Sequence, residues 1–264
     1  GGVVAASPGS YLAVKLSRID TIDLSGAQLG YRSRLTGDLN HARWYSSAVL
    51  LADGSVLALS GADRDEVALP GAGIPVKRAE RFDPATERWS PMAVAHQART
   101  YHNTAMLLAD GRVLVGGHAP INTAYAFSIT LPGFSPNDGR DPSFEIYSPP
   151  YVFRSDRPVI GDAPRELRHG QTATIRTAQA SSIAKVLLIR RTATTHLVDA
   201  DQRAVSLRIM GRSNGTVRVD IPQSRAVLPP GPYMLFVLRH SSSGLVPSVS
   251  APVMVLGADA GCAS

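Results

Sequence analysis

Two stretches of this chain, 57 residues apart, spell the same local structure, and that repetition narrows the possible folds more than any other feature. The first is Ala48-Val49-Leu50-Leu51-Ala52-Asp53-Gly54, followed by Val56-Leu57-Ala58-Leu59. The second is Ala105-Met106-Leu107-Leu108-Ala109-Asp110-Gly111, followed by Val113-Leu114-Val115 and the double glycine Gly116-Gly117. Each is an apolar run, an Asp-Gly turn and a second apolar run. Asp-Gly supplies the positive-φ residue that a tight turn between antiparallel strands needs, so each reads as a β-hairpin.

Between the copies lies Glu80-Arg81-Phe82-Asp83-Pro84-Ala85-Thr86-Glu87-Arg88-Trp89. Its Asp-Pro-Ala-Thr segment reads as a turn between two outer strands, with Trp89 placed to pack between blades. The interval is close to the ~50-residue kelch repeat, in which one repeat builds one four-stranded propeller blade. Residues 1–150 are therefore expected to be blades of a kelch-type β-propeller. Near the start, 11–16 and 19–24 are expected to form two strands joined by a short turn. The opening Gly1-Gly2-Val3-Val4 carries no Met and no signal peptide, and reads as the continuation of a blade begun upstream.

After a Gly/Pro/Asn/Asp-rich stretch over 118–143, Phe144-Glu145-Ile146-Tyr147 runs into Pro149-Pro150, which cannot continue a ladder. A domain boundary is expected near 149–158. Beyond it come some seven short strands, among them 172–176, 183–189, 205–209, 216–221, 233–238 and 251–256, and Asn214-Gly215 marks a hairpin. About 100 residues built this way is the size of an immunoglobulin-like sandwich. The fold class is thus all-β: propeller blades over 1–150, then a sandwich over 151–264.

Composition removes several functions. The net charge is +6, but Lys and Arg are scattered and no basic run is interleaved with aromatics, which argues against a nucleic-acid partner. No run reaches the ~18 to 20 apolar residues of a membrane span. The single cysteine, Cys262, permits no internal disulfide and no CxxC zinc site.

The chemistry-bearing candidates stand just before the second hairpin. Tyr101 and His102 are adjacent, and a phenolate oxygen with an imidazole nitrogen suits copper, iron or zinc. The competing reading puts Tyr101 in the core and His102 in solvent. Counting back from the Asp-Gly turn, Trp44 and Tyr45 occupy the same two positions of the first copy.

Four stretches, taken in order, resemble one family. They are Arg99…Tyr101-His102…Leu108-Ala109-Asp110-Gly111-Arg112-Val113…Gly116-Gly117; Phe144-Glu145-Ile146-Tyr147-Ser148-Pro149-Pro150-Tyr151; Thr192-Ala193-Thr194-Thr195-His196-Leu197-Val198-Asp199-Ala200-Asp201-Gln202-Arg203; and Pro230-Gly231-Pro232-Tyr233-Met234-Leu235-Phe236-Val237-Leu238…Gly244-Leu245-Val246-Pro247-Ser248. Together they resemble the copper radical oxidases, the family of galactose oxidase and glyoxal oxidase.

The resemblance implies the last blades of a seven-bladed kelch propeller, followed by an immunoglobulin-like domain. It implies one Cu(II), with Tyr101 as axial ligand and catalytic base. His102 and His196 would be the histidine ligands, His196 arriving on a loop that the C-terminal domain pushes through the propeller channel. Asp201, Gln202 and Arg203 would hold that loop by side chain–backbone hydrogen bonds. Arg43, Trp44 and Tyr45 would form the pocket wall. The implied reaction oxidises a primary alcohol, aldehyde or carbohydrate substrate by two electrons and reduces O2 to H2O2, in a secreted or cell-surface protein. The second electron comes from a tyrosine cross-linked to cysteine. Cys262 lies in no matching motif, so that pair is expected in missing upstream blades, which would be this chain's partners. The rival reading is a non-catalytic kelch and immunoglobulin-like module that binds a cell-surface glycan or protein.

Overall fold

The computed structural model describes residues 12–26, 28–65, 73–117, 141–194, 199–242 and 244–257, with two short strands between 117 and 141. The described architecture is all-β. The first hairpin joins β1 (Arg18–Asp23) to β2 (Gly30–Leu35). It differs from the expected pairing of 11–16 with 19–24. Residues 13 and 15 instead hydrogen-bond across the chain, Ala13 N–H to Asp63 O at 2.9 Å and Leu39 N–H to Lys15 O at 3.0 Å. That leaves β1 to pair with the strand that follows it.

A four-stranded antiparallel meander comes next: β3 (Ser47–Leu50), β4 (Val56–Leu59), β5 (Arg78–Asp83) and β6 (Arg88–Val94). This is the build of one propeller blade. The Asp-Pro turn joins β5 to β6 as expected. The Asp83 carboxylate accepts from Ala85 N–H at 2.9 Å, and Asp83 O accepts from Glu87 N–H at 2.8 Å. Trp89 lies half-buried on Phe82, ring centroids 5.2 Å apart. Its other side faces the 35–38 stretch that leads out of β2.

The second copy gives β7 (Thr104–Leu107) and β8 (Val113–Gly116). The short β9 (Thr123–Ala124) and β10 (Ile129–Thr130) pair with each other, and β11 (Phe144–Tyr147) adds to β8. Among the described residues this sheet has three strands where its predecessor has four. Both Asp-Gly turns are three-residue loops rather than two-residue ones. Gly111 N–H bonds Leu108 O at 3.0 Å and Leu108 N–H bonds Arg112 O at 2.8 Å, a type I turn followed by a left-handed glycine.

A 3₁₀ turn at Pro150–Phe153 leads into the sandwich. Its strands are β12 (Glu166–Leu167), β13 (Thr172–Arg176), β14 (Ile183–Arg190), β15 (Ala204–Ser213), β16 (Thr216–Asp220), β17 (Gly231–Ser241), β18 (Gly244–Pro247) and β19 (Ala251–Val255). The long β15 pairs with β14 through its first half and with β16 through its second, with a bulge between Ile209 and Gly211. Such a bulge lets one strand serve two layers. Asn214-Gly215 makes the expected tight hairpin, both residues at positive φ.

Strands β14 and β17 join the two halves of the molecule. Val186, Leu188, Tyr233, Leu235 and Val237 point into the sandwich core. Their neighbours Leu187, Ile189, Met234, Phe236 and Leu238 point the other way, into a second core shared with the hairpins of β3–β4 and β7–β8. The 109–111 turn is gripped from that side. Ser250 N–H bonds Ala109 O at 2.9 Å, Arg157 bonds Asp110 O at 2.8 Å, and the Tyr151 hydroxyl bonds Gly111 O at 2.6 Å.

The two turns give a matched test. Gly54 and Gly111 have φ of 90° and 91°, so alanine is strained by about 1–2 kcal/mol at either. A Cβ at Gly54 meets nothing within 4 Å, whereas one at Gly111 meets Tyr151 Cε2 at 2.9 Å. Gly111→Ala is therefore expected to destabilise by about 1–3 kcal/mol more than Gly54→Ala. Denaturant midpoints of the two variants check this, and equal losses would mean that Tyr151 does not seat on the turn.

Candidate metal centre

Along a regular strand, adjacent side chains point to opposite faces. Tyr101 and His102 do not. His102 has φ of 48°, in the left-handed region, and the break in alternation brings its ring to 3.9 Å from the Tyr101 ring, centroid to centroid. A non-glycine residue there is strained by about 1–3 kcal/mol, and such strain gathers at functional sites. Tyr45, the equivalent residue of the first copy, shares the kink with φ of 52°.

The surroundings hold this arrangement in place. Tyr101 is 8% exposed, and the Tyr45 ring meets it edge to face at 4.6 Å. Trp44 follows Tyr45 at 5.5 Å. The Tyr45 hydroxyl donates to the carboxylate of buried Asp65 at 2.8 Å. Asn103 is 1% exposed, and its amide nitrogen donates to Tyr45 O at 2.8 Å while its amide oxygen accepts from Ser47 Oγ at 2.7 Å. Asn103 therefore ties the two kinked segments together. It stands directly after the Tyr-His pair, and a polar residue at the mouth of an apolar strand was the signal that could have found it.

Arg43, expected at the pocket wall, has its side chain in the interior of the blade. It is 1% exposed, and its guanidinium donates to Glu80 at 2.8 Å, to Ser60 O at 3.1 Å and to Arg78 O. Arg99 repeats the arrangement in the next sheet, bonding Gly117 O at 3.2 Å and facing Glu145 at 3.5 Å.

His196 lies outside the described residues, as does Cys262. The nearest described residues are Thr194 and Asp199. Thr194, Asp199 and Gln202 line a cleft of about 220 Å³ with Ser46, Ser47, Ala48, Thr104 and Ala105. Ser46 and Thr104 are within two residues of Tyr45 and His102. The described ends of the segment between β14 and β15 thus lie against β3 and the start of β7. Gln202 and Arg203 bond backbone as expected: Gln202 to Ala48 and Leu50, and Arg203 to Ala226 O and Val227 O. Asp201 instead pairs with the Arg190 side chain. Among the described residues, no three His, Cys, Asp or Glu side chains converge. The donors on view are one phenol and one imidazole.

Comparison with known proteins is decisive at this point. Residues 32–151 match the glyoxal oxidase N-terminus model, and 157–255 match the galactose oxidase-like early set domain model. The chain belongs to the galactose oxidase and glyoxal oxidase family. It is 29% identical to galactose oxidase of Gibberella zeae over 82% of this chain and 30% of the relative. It is 27% identical to the aldehyde oxidase GLOX1 of Arabidopsis thaliana over 81% of this chain and 36% of the relative. A fungal alcohol oxidase solved in complex with copper superposes with a TM-score of 0.75 at 27% identity, covering 94% of this chain and 49% of that one. This family member therefore spans 30% to 49% of the length of these relatives. Among its described residues no helix is long and apolar enough to cross a membrane.

Proposed function

We propose that this chain carries the copper-binding part of an oxidase that converts a primary alcohol or an aldehyde hydrate by two electrons, with O2 reduced to H2O2. The supporting observation is the shared side of Tyr101 and His102, created by the strained φ of His102, with Thr194, Asp199 and Gln202 lining a cleft against Ser46 and Thr104. A phenol and imidazoles form a nitrogen- and oxygen-rich donor set that suits Cu(II). Tyr101, His102 and His196 would hold the ion. When bound, copper would supply an open position for a substrate oxygen and take up one electron. Tyr101 would accept the alcohol proton at its phenolic oxygen. Tyr45 shields one face of that phenol from water, and Trp44 with Tyr45 would bound the substrate pocket. The second electron requires a tyrosine–cysteine radical pair from elsewhere in the polypeptide. We take the domain division at 150, between the blades and the sandwich, and read the protein as secreted or cell-surface.

One observation favours a second reading. The only cysteine of the chain stands in no matching motif, so a module that binds glycan or protein without redox chemistry is the alternative. Metal analysis and EPR on the natural polypeptide that contains this chain separate the two. One type-2 Cu(II) per chain is expected, abolished by His196→Ala and weakened at least about tenfold by Tyr101→Phe. No specific copper in the folded wild-type protein would sink the oxidase reading and leave the binding module.

A further inference from the structure

In an antiparallel pair, alternate residues turn their N–H and C=O away from the partner strand. Leu51 N–H bonds Ser55 O at 2.8 Å, and this sets the phase. Residues 47, 49 and 51 face the 55–59 strand, so Ala48 and Leu50 present their backbone groups outward. Among the described residues, β3 has no strand on that side. What meets this edge is the Gln202 side chain. Its amide nitrogen donates to Ala48 O at 2.7 Å, and its amide oxygen accepts from Leu50 N–H at 2.8 Å.

The carbonyl of one residue and the N–H of the residue two further on are the pair that a parallel neighbouring strand engages through the N–H and C=O of a single residue. The Gln202 amide therefore stands in for one residue of a missing parallel strand. Only a primary amide at this length serves. Glu has no donor for Ala48 O, Lys has no acceptor for Leu50 N–H, and Asn is one methylene shorter. The two bonds are open to solvent and contribute little to global stability. Their content is positional: they fix the 199–203 end of the segment at one register along β3, and β3 begins two residues after Tyr45.

We propose that Gln202 is a positioning residue, which docks the 199–203 end of the segment between β14 and β15 onto the outward edge of β3 and so sets where His196 would meet the copper site. This rests on the copper reading above. The test uses the natural polypeptide containing this chain, with Cu(II) itself as probe, and compares wild type, Gln202→Ala and Gln202→Glu. Three readouts are taken: hydrogen exchange of the Leu50 amide, the Cu(II) EPR spectrum, and copper affinity by competition with a chelator. Wild type is expected to protect Leu50. Both variants are expected to lose that protection, to keep the melting temperature within a few degrees, to lower copper affinity by about 10- to 100-fold, and to alter the nitrogen hyperfine pattern. Fast Leu50 exchange in wild type would overturn the docking. Unchanged copper affinity and spectrum in variants that have lost Leu50 protection would overturn the positioning role while leaving the copper reading intact. A protected Leu50 in a wild-type protein that binds no copper would overturn the copper reading, and the positioning role with it.

Discussion

Glu80→Ala is expected to destabilise the protein by about 3–5 kcal/mol, because it strands a buried arginine. Glu80 is fully buried and takes donors from Arg43 at 2.8 Å, from Asn40 N–H at 2.5 Å and Nδ2 at 2.7 Å, and from His41 N–H at 3.1 Å. Removing it leaves the Arg43 charge inside the blade without its carboxylate. Replacing both partners, Arg43→Met with Glu80→Leu, is expected to recover most of that loss, since two apolar side chains leave no unpaired charge. Chemical denaturation of the two variants decides it. If the double variant is as weak as the single, the pair is more than mutual compensation. The matching Glu145→Ala in the next sheet is expected to matter less, because the Glu145 side chain is 21% exposed and its contact to Arg99 is longer, at 3.5 Å.

The same carboxylate gives a pH dependence. Burial pushes the Glu80 pKa up, but the Arg43 and Asn40 donors together outweigh it and hold the group below its ordinary 4.5. A depressed folded-state pKa means that the unfolded chain takes up the proton first. The stabilisation is therefore complete above about 4.5 and is lost as pH falls through the lower folded value. Unfolding midpoints should decline in that acid window for wild type and decline less for Glu80→Gln.

What could be read from the sequence follows from how local each determinant is. The hairpins at Gly54, Gly111 and Gly215 were legible because a turn is decided by the residues inside it. The 3.9 Å approach of Tyr101 to His102 was not. Adjacency on a strand implies opposite faces, and nothing in the letters announces the left-handed φ of His102. Arg43 beside an aromatic reads as a surface or pocket residue, and its burial is decided by a carboxylate 37 residues later. Gln202 is tied to a strand edge more than 150 residues earlier, beyond any periodicity. The 183–189 and 233–238 runs were legible as strands. Their lack of alternation, with every position apolar from Val186 to Ile189 and from Tyr233 to Leu238, carried a second message. A strand apolar on both faces is buried on both faces. One face belongs to the sandwich, so the other required a second body, and that body is the pair of blade hairpins.

That two-sided burial makes Phe236→Ala the other substitution with a large expected effect. Phe236 is fully buried, sits opposite Leu187 in the β14–β17 ladder, and faces away from the sandwich core into the cluster with Leu51, Leu57, Leu107 and Val113. Removing a buried Phe side chain costs about 3–5 kcal/mol where the surroundings cannot collapse. Collapse is restricted here. The backbone of β17 is fixed by β14 and β19, and the blade hairpins are pinned by Tyr151, Arg157 and Gln202. Met254→Ala, on the exposed face of β19, is the control, with an expected change within about 0.5 kcal/mol. Phe236→Leu should fall between, since it fills part of the volume. Denaturant unfolding ranks the three. A Phe236→Ala loss no larger than the Met254→Ala loss would mean that the sandwich and the blades do not share a core.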